Sequence, residues 1–288
     1  MGPHRLGVFL ILAALTACSD LQQPESKPAA MATKPDTASL ITAADATRND
    51  GRLSEAIAIY QQVLVADHES VDAQYGIAEC LLGTGRAGDA KPIFRALEGK
   101  EKFHALALQG VGIADLALDK REEAAKALQD AIEADPKLWR AYNGLGLIAD
   151  WKRQPKVAME LYHKALTINP ASAVLLNNLG YSRLLAGKPD EAITNFHKAL
   201  DLDPNSETIQ NNLRLAVAAK GDYAGATRNV PRDKQAVVMN NVGFVAMRRG
   251  DLAVAERLLS RAMEADPHYD DTIAKNLDQL NALKAAAR

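Results

Sequence analysis

One period constrains this chain more than anything else in it. Pro136, Pro170 and Pro204 stand 34 residues apart, and each closes a polar tail: Glu133-Ala134-Asp135-Pro136, Thr167-Ile168-Asn169-Pro170 and Asp201-Leu202-Asp203-Pro204. Proline cannot continue a helix, so each tail reads as a helix end. Recurrence at this spacing means that one supersecondary unit is repeated, and such units stack because none can bury its apolar face alone. With proline at the thirty-second position, units start at 37, 71, 105, 139, 173, 207 and 236. The twentieth position is then alanine in every unit: Ala56, Ala90, Ala124, Ala158, Ala192, Ala226 and Ala255.

Other positions repeat in kind. The eighth is small at Ala44, Ala78, Gly112, Gly146, Gly180 and Gly243, with Arg214 as the exception. The twenty-fourth is a large apolar plug at Tyr60, Phe94, Leu128, Tyr162, Phe196, Val230 and Leu259. The fifteenth is glycine at 51, 85, 187, 221 and 250, as a turn between two helices requires. Small residues let the two helices of a unit approach, and the plug fills the space between units. This pattern resembles the tetratricopeptide repeat. The resemblance implies an all-α, right-handed superhelical solenoid of about seven helix-turn-helix units, with a C-terminal capping helix. Abundant alanine and leucine and an aromatic content of only 5% agree with helices.

Two places modify the pattern. The sixth unit is five residues short and carries Pro231 where its second helix should continue, so that helix is expected to be truncated or replaced by a loop. This reads either as tolerated degeneration or as an elbow or notch between its neighbours. The stretch from Asp271 to about Lys284 places Ile273, Leu277, Leu280 and Leu283 on one stripe and is expected to cap the array.

The N-terminus reads as an address. Arg5 precedes the apolar run Val8–Leu15, too short for a permanent membrane span. Leu15-Thr16-Ala17-Cys18 follows and resembles the lipobox of bacterial lipoproteins. The resemblance implies a signal peptide over 1–17 and lipid on Cys18, anchoring the chain stably through several acyl chains. Ser19 rather than an acidic residue follows the cysteine, which under the family's sorting rule favours the periplasmic side of the outer membrane over the inner membrane. Residues 18–36, with prolines at 24, 28 and 35 and no apolar periodicity, are expected to form a tether. Such a coil spans on the order of 20–25 Å, or about 60 Å stretched. The repeat domain then covers 37–269 and the cap 270–288.

Residues for chemistry are missing. Gly83-Thr84-Gly85-Arg86-Ala87-Gly88 matches the dinucleotide glycine pattern formally, but no strand precedes it, and these glycines fall in an interhelical turn. Cys80 reads as a core thiol. No histidines pair at helical spacing, and His163 and His197 differ by one whole repeat. Glu122-Glu123 and Asp190-Glu191 suit helix starts. A net charge of −2 with mixed signs supplies no field for nucleic acid. No catalytic residue, metal, cofactor or small-molecule substrate is expected; proteins are the expected partners.

Tetratricopeptide units bind partners along their first helices. There this chain sets Asn143, Asn177, Asn178, Asn211, Asn212, Asn240 and Asn241, alternating with Leu147, Tyr181, Leu215 and Phe244, and with Trp151 near a helix end. Amides can bond a peptide backbone while rings and leucines bury an apolar anchor. The asparagines at the sixth position also belong to the repeat consensus, so those at the fifth position and Trp151 are the better ligand candidates. Only Arg140 and Arg248 are available to grip a terminal carboxylate, so such a ligand is not favoured. Lipobox, tether, repeats and the closing Asn240-Asn241-Val242-Gly243-Phe244 unit resemble the lipoprotein family of tight-adherence (Flp) pilus assembly. That implies a scaffold for a pilus or secretion apparatus, with a secretin or pilus component as partner. Alternatives are an adaptor for peptidoglycan hydrolases, a pilotin of another pilus system, and, from a different class, a nucleotide-dependent enzyme.

Overall fold

The structure, a computed structural model, describes residues 36–266 and 271–286. The signal segment, Cys18 and the tether up to residue 35 lie outside the described residues, as does the expected boundary at 269. Every regular element described is helical. In pairs, these are α1 (Thr37–Asn49) with α2 (Leu53–Ala66), α3 (Val71–Gly83) with α4 (Ala87–Leu97), and α5 (His104–Ala117) with α6 (Arg121–Ala134). Next come α7 (Trp139–Trp151) with α8 (Pro155–Ile168), and α9 (Ala173–Leu185) with α10 (Pro189–Leu202). The sixth pair is α11 (Glu207–Ala219) with the single turn α12 (Tyr223–Ala226), the seventh α13 (Gln235–Arg249) with α14 (Leu252–Ala265), and α15 (Asp271–Ala286) follows. The third and seventh pairs are each preceded by a short 3-10 turn, at Glu101–Phe103 and Arg232–Lys234. Over the described residues this is an all-α solenoid, as the repeat pattern predicts. The first helices of consecutive units touch one another directly, α1 with α3, α5 with α7 and α11 with α13 among them. The second helices make no comparable contact, so the first helices line the inner side of the stack.

The seven alanines at the twentieth position are all buried. The plugs are also buried, except Val230, which lies outside any helix and only partly packs against its cluster. Each plug faces both ways. A β-carbon built on Gly112, in the same unit as Leu128, would lie 2.6 Å from the leucine side chain, and one built on Gly144, in the next unit, would also lie 2.6 Å from it. The first three plugs thus meet a glycine ahead of them, at the sixth position, as well as a small residue behind, a relation the sequence pattern at the eighth position alone does not reveal. Gly76 stands against Tyr60 and Gly110 against Phe94 in the same way.

The turns follow one backbone geometry. The five glycines at the fifteenth position have φ between +74° and +90°, and the two residues that replace them, Asp119 and Arg153, take φ of 58° and 57°. Gly85 reverses the chain between α3 and α4, a helix rather than a strand preceding it. Cys80 is a buried core thiol, and His163 and His197 are exposed. Glu122 and Glu123 occupy the first turn of α6, and Asp190 and Glu191 that of α10.

The short sixth unit is repaired by its exceptional residue. The Arg214 guanidinium donates to the carbonyl oxygens of Ala226 at 2.8 Å and Arg228 at 3.0 Å, satisfying acceptors that a longer helix would have used. The junction to the seventh unit is tied: Arg249 Nε donates to Tyr223 Oη at 3.0 Å, Arg249 also donates to the Ala219 carbonyl, and Tyr223 donates to Asp251. Beyond it, α15 packs Ile273 and Leu280 into the core and Leu277 partly. Leu283, expected on the same stripe, is exposed, because the buried face of α15 ends one turn earlier.

Candidate binding groove

The inner face changes character along the array. At the ninth position the first two units carry Asp45 and Glu79, and both are used internally. Tyr60 donates to Asp45 at 2.6 Å and Arg48 pairs with it at 3.1 Å; Tyr75 donates to Glu79 at 3.2 Å. Arg140, from two units away, donates to the second Glu79 oxygen at 2.7 Å. Burial raises the Tyr75 hydroxyl far above its ordinary pKa, and Glu79 adds to the shift. Arg140 is therefore committed, which leaves Arg248 alone of the two cations considered for a terminal carboxylate.

From the fourth unit onward the face is amide and apolar, and the amides bond one another. Asn212 donates to Asn177 at 2.9 Å, Asn177 to Asn178 at 3.3 Å, and Asn178 to Asn143 at 2.9 Å. Four asparagines thus form one chain across three units, the sixth-position residue of each unit reaching the fifth-position residue of the unit before. The same link recurs at the end, where Asn276 of α15 donates to Asn240 at 2.8 Å and Asn240 to Asn241 at 3.4 Å. Where the sixth unit is short the chain of amides stops, and Asn211 makes no side-chain hydrogen bond among the described residues. The sequence argument ranked the fifth-position asparagines first as ligand contacts. The structure instead buries Asn177 and Asn240 and engages both, with Asn143, in holding neighbouring units in register. Each amide keeps spare capacity, since its nitrogen carries two protons and its oxygen two lone pairs. Asn211 is the most open of the seven in bonding terms.

The apolar candidates are placed differently. Leu147, Tyr181 and Phe244 are exposed, Leu215 is half-buried, and Trp151, the last residue of α7, is 55% exposed. Leu185, one turn beyond Tyr181, is also exposed and joins them, a residue the sequence reading omitted although it holds the same thirteenth position as Trp151. Leu147, Trp151, Tyr181 and Leu185 surround a cavity of about 540 Å³ between the fourth and fifth units, with Asn178, Asp150, Arg153, Pro155 and Tyr162 completing its lining. The Arg121 guanidinium lies 3.7 Å over the Trp151 ring, a cation–π contact that holds the indole in place. Leu215 and Phe244 do not border this cavity.

Asp150 is the unexpected member. It is only 9% exposed, accepts from Tyr162 Oη at 3.0 Å through Oδ2, and its Oδ1 has no hydrogen-bond partner. The Ser182 hydroxyl stands close to this carboxyl and also within 3.1 Å of the Pro155 carbonyl oxygen. Burial pushes the Asp150 carboxyl above the usual carboxylate range, against the opposing pull of the Ser182 and Tyr162 hydroxyls. Among the described residues no group of three or more histidine, cysteine or acidic side chains could hold a metal, and no helix is long and apolar enough to cross a membrane.

Three family models, each described as tetratricopeptide repeat, match residues 49–110, 112–173 and 173–206. Over 104 residues the chain is 31% identical to the type IV pilus assembly protein PilF of Pseudomonas aeruginosa, a match covering 36% of this chain and 40% of that protein. Among solved structures, a thermophilic repeat protein from Thermus thermophilus superposes with a TM-score of 0.56 at 19% identity, over 63% of this chain and 99% of the other. The hetero-tetramer Cut9–Hcn1 of APC/C matches with a TM-score of 0.60 at 18% identity, covering 85% of this chain and 49% of its own. A repeat protein from Parabacteroides merdae matches at 0.53 and 14%, covering 85% and 98%. These structural likenesses establish the fold.

Proposed function

We propose that this tetratricopeptide-repeat protein is a non-catalytic scaffold that binds a segment of another protein along its inner face while a pilus or secretion apparatus is assembled or localised in the cell envelope. The observation that carries the reading is the exposed cluster Leu147, Trp151, Tyr181 and Leu185 around its cavity. Leaving such side chains in water forgoes roughly 25 cal/mol for each Å² they could bury, and contiguous apolar surface marks an interaction site.

The envelope location rests on the lipobox at Leu15–Cys18, with Ser19 favouring the outer membrane, and the periplasm-facing body on the tether. Two pilus systems are in view. The lipobox, tether and closing repeat favour the tight-adherence type, and the identity to PilF favours a type IV pilus. A photoreactive side chain at Tyr181, activated in intact cells, tests the function: it should crosslink to an envelope component of the pilus or secretion apparatus. Crosslinks confined to cytosolic proteins would refute the reading. Replacing Cys18 by alanine should release the protein from membranes, and retention there would refute the lipid anchor.

A further inference from the structure

Four apolar side chains and one cation share the cavity between the fourth and fifth units. Leu147, Trp151, Tyr181 and Leu185 form its wall, and Arg153 lines it beside them. Arg153 is exposed and, among the described residues, its guanidinium has no ion pair. The neighbouring Arg121, lying over the Trp151 ring, is by contrast already balanced by Asp119 at 2.5 Å. Asp150, the one acid in the lining, does not serve Arg153, because its Oδ1 is enclosed and its Oδ2 accepts from Tyr162. Lys152 and Lys156 flank Arg153 in the chain and are also exposed and without an ion pair among the described residues. The other second helices each carry an acid at the N-cap or in the first turn: Glu55, Asp89, Glu122, Asp190, Asp222 and Asp251. Helix α8 has Gln154 at its N-cap, begins Pro155-Lys156, and has none. The turn of the fourth unit thus gathers three cations and no accessible acid at the edge of an apolar cavity.

Resting on the groove reading above, we propose that the occupant of this cavity is an acidic-apolar segment of a partner protein. Its apolar residues fill the space between Trp151 and Tyr181, and an aspartate or glutamate within the segment pairs with Arg153. A segment that covers the wall also covers Arg153, because all five side chains border one cavity. A cation drawn out of water without a counter-charge weakens the complex, and this chain supplies none, so the occupant must. The guanidinium fork suits the task, since it donates two parallel bonds to a carboxylate. Excluding water from the cavity strengthens that pair over an exposed one. The same charges reject a basic segment, which would meet Lys152, Arg153 and Lys156.

The test is a selection from a randomised dodecapeptide library displayed on phage, with the full chain as bait in three forms: unchanged, Arg153→Glu, and Trp151→Ala combined with Tyr181→Ala. Display fuses the C-terminus of each peptide, so an enriched acid is a side chain. Thermal unfolding by circular dichroism verifies that each bait is folded, and Arg153→Gln replaces the reversal if that variant is not. The unchanged chain should enrich aspartate or glutamate among apolar residues about fivefold over the unselected library, the ratio expected of one partly exposed ion pair. Arg153→Glu should keep the apolar residues and lose the acid, and the double variant should lose the apolar residues. Apolar peptides without an acid on the unchanged chain, or an acid that survives Arg153→Glu, would overturn the acidic occupant and leave the groove standing. A dimer in sedimentation that the double variant dissolves would assign the cavity to a second copy. Flotation with phosphatidylglycerol vesicles that Arg153→Glu abolishes would assign it to lipid, and either result would overturn the proposal. No enrichment above the bare support would overturn the proposal and the groove together.

Discussion

Gly146→Ala adds one methyl group, and the packing of the fourth unit sets its effect. A β-carbon there would lie 2.5 Å from Tyr162 Cε1, whereas carbon atoms at rest stand about 3.5–4.0 Å apart, so the ring must retreat by roughly 1 Å. Tyr162 is fully buried and has nowhere to go without disturbing its neighbours. Overpacking of this kind costs about 1–3 kcal/mol. Retreat also stretches the 3.0 Å bond from Tyr162 to Asp150, stripping a buried carboxylate of its tyrosine donor at about 1–3 kcal/mol. Against these, alanine gains about 1 kcal/mol of helix propensity over glycine. The net is a destabilisation of about 3 kcal/mol. Gly88→Ala supplies the control, because that glycine is helical and exposed with no atom within 4 Å of the added carbon; it should be neutral or stabilising by up to about 1 kcal/mol. Urea titration followed by far-UV circular dichroism should lower the Gly146→Ala midpoint and leave the Gly88→Ala midpoint level or higher, at unchanged slope. The two tryptophans, Trp139 and Trp151, bound α7 and report the affected unit by fluorescence. A Gly146→Ala midpoint equal to or above that of the unchanged chain would refute the packing argument.

Further outcomes follow from the same groove. Asp150 titrates above its ordinary range in the folded chain, so the folded state holds its proton to a higher pH than the unfolded state and stability falls as pH rises through that window. Asp150→Asn should therefore gain on the order of 1 kcal/mol at neutral pH and lose that part of the pH dependence, measured as melting temperature between about pH 4 and 8. Asn178→Ala removes two inter-amide bonds and should cost about 1–2 kcal/mol, while Asn211→Ala should stay within about 0.5 kcal/mol by the same urea titration. Arg153→Gly, at a left-handed backbone position, should stabilise by about 1 kcal/mol in thermal unfolding.

The fold was legible because its determinants recur. Ala56 through Ala255 and the plugs from Tyr60 to Leu259 identify themselves by repetition, and the turn glycines locate the chain reversals. The sixth-position glycines, Gly76, Gly110 and Gly144, were equally visible at 34-residue spacing, yet their partner is a plug in the preceding unit, a relation that only stacking creates. The groove was less legible for the same reason. Asn143 and Asn178 look like ligand contacts in sequence, and the bond between them exists only once neighbouring units stack. The Arg140–Glu79 pair spans 61 residues and has no local signature. Arg214 declared itself an exception, but which carbonyls it serves depends on where α12 stops. Asp150 gave no signal at all, since an unbonded oxygen is a property of its surroundings.

Helix α15 stands where the first helix of one more unit would stand, and Asn276 makes the bond that such a helix would make. Its far side carries Lys275, Asp278 and Gln279 in water. A second molecule arriving end-on would have to dehydrate those groups without offering them partners. Removing it would uncover the apolar surfaces of α13 and α14 around Val242 and Leu259 and leave them adhesive.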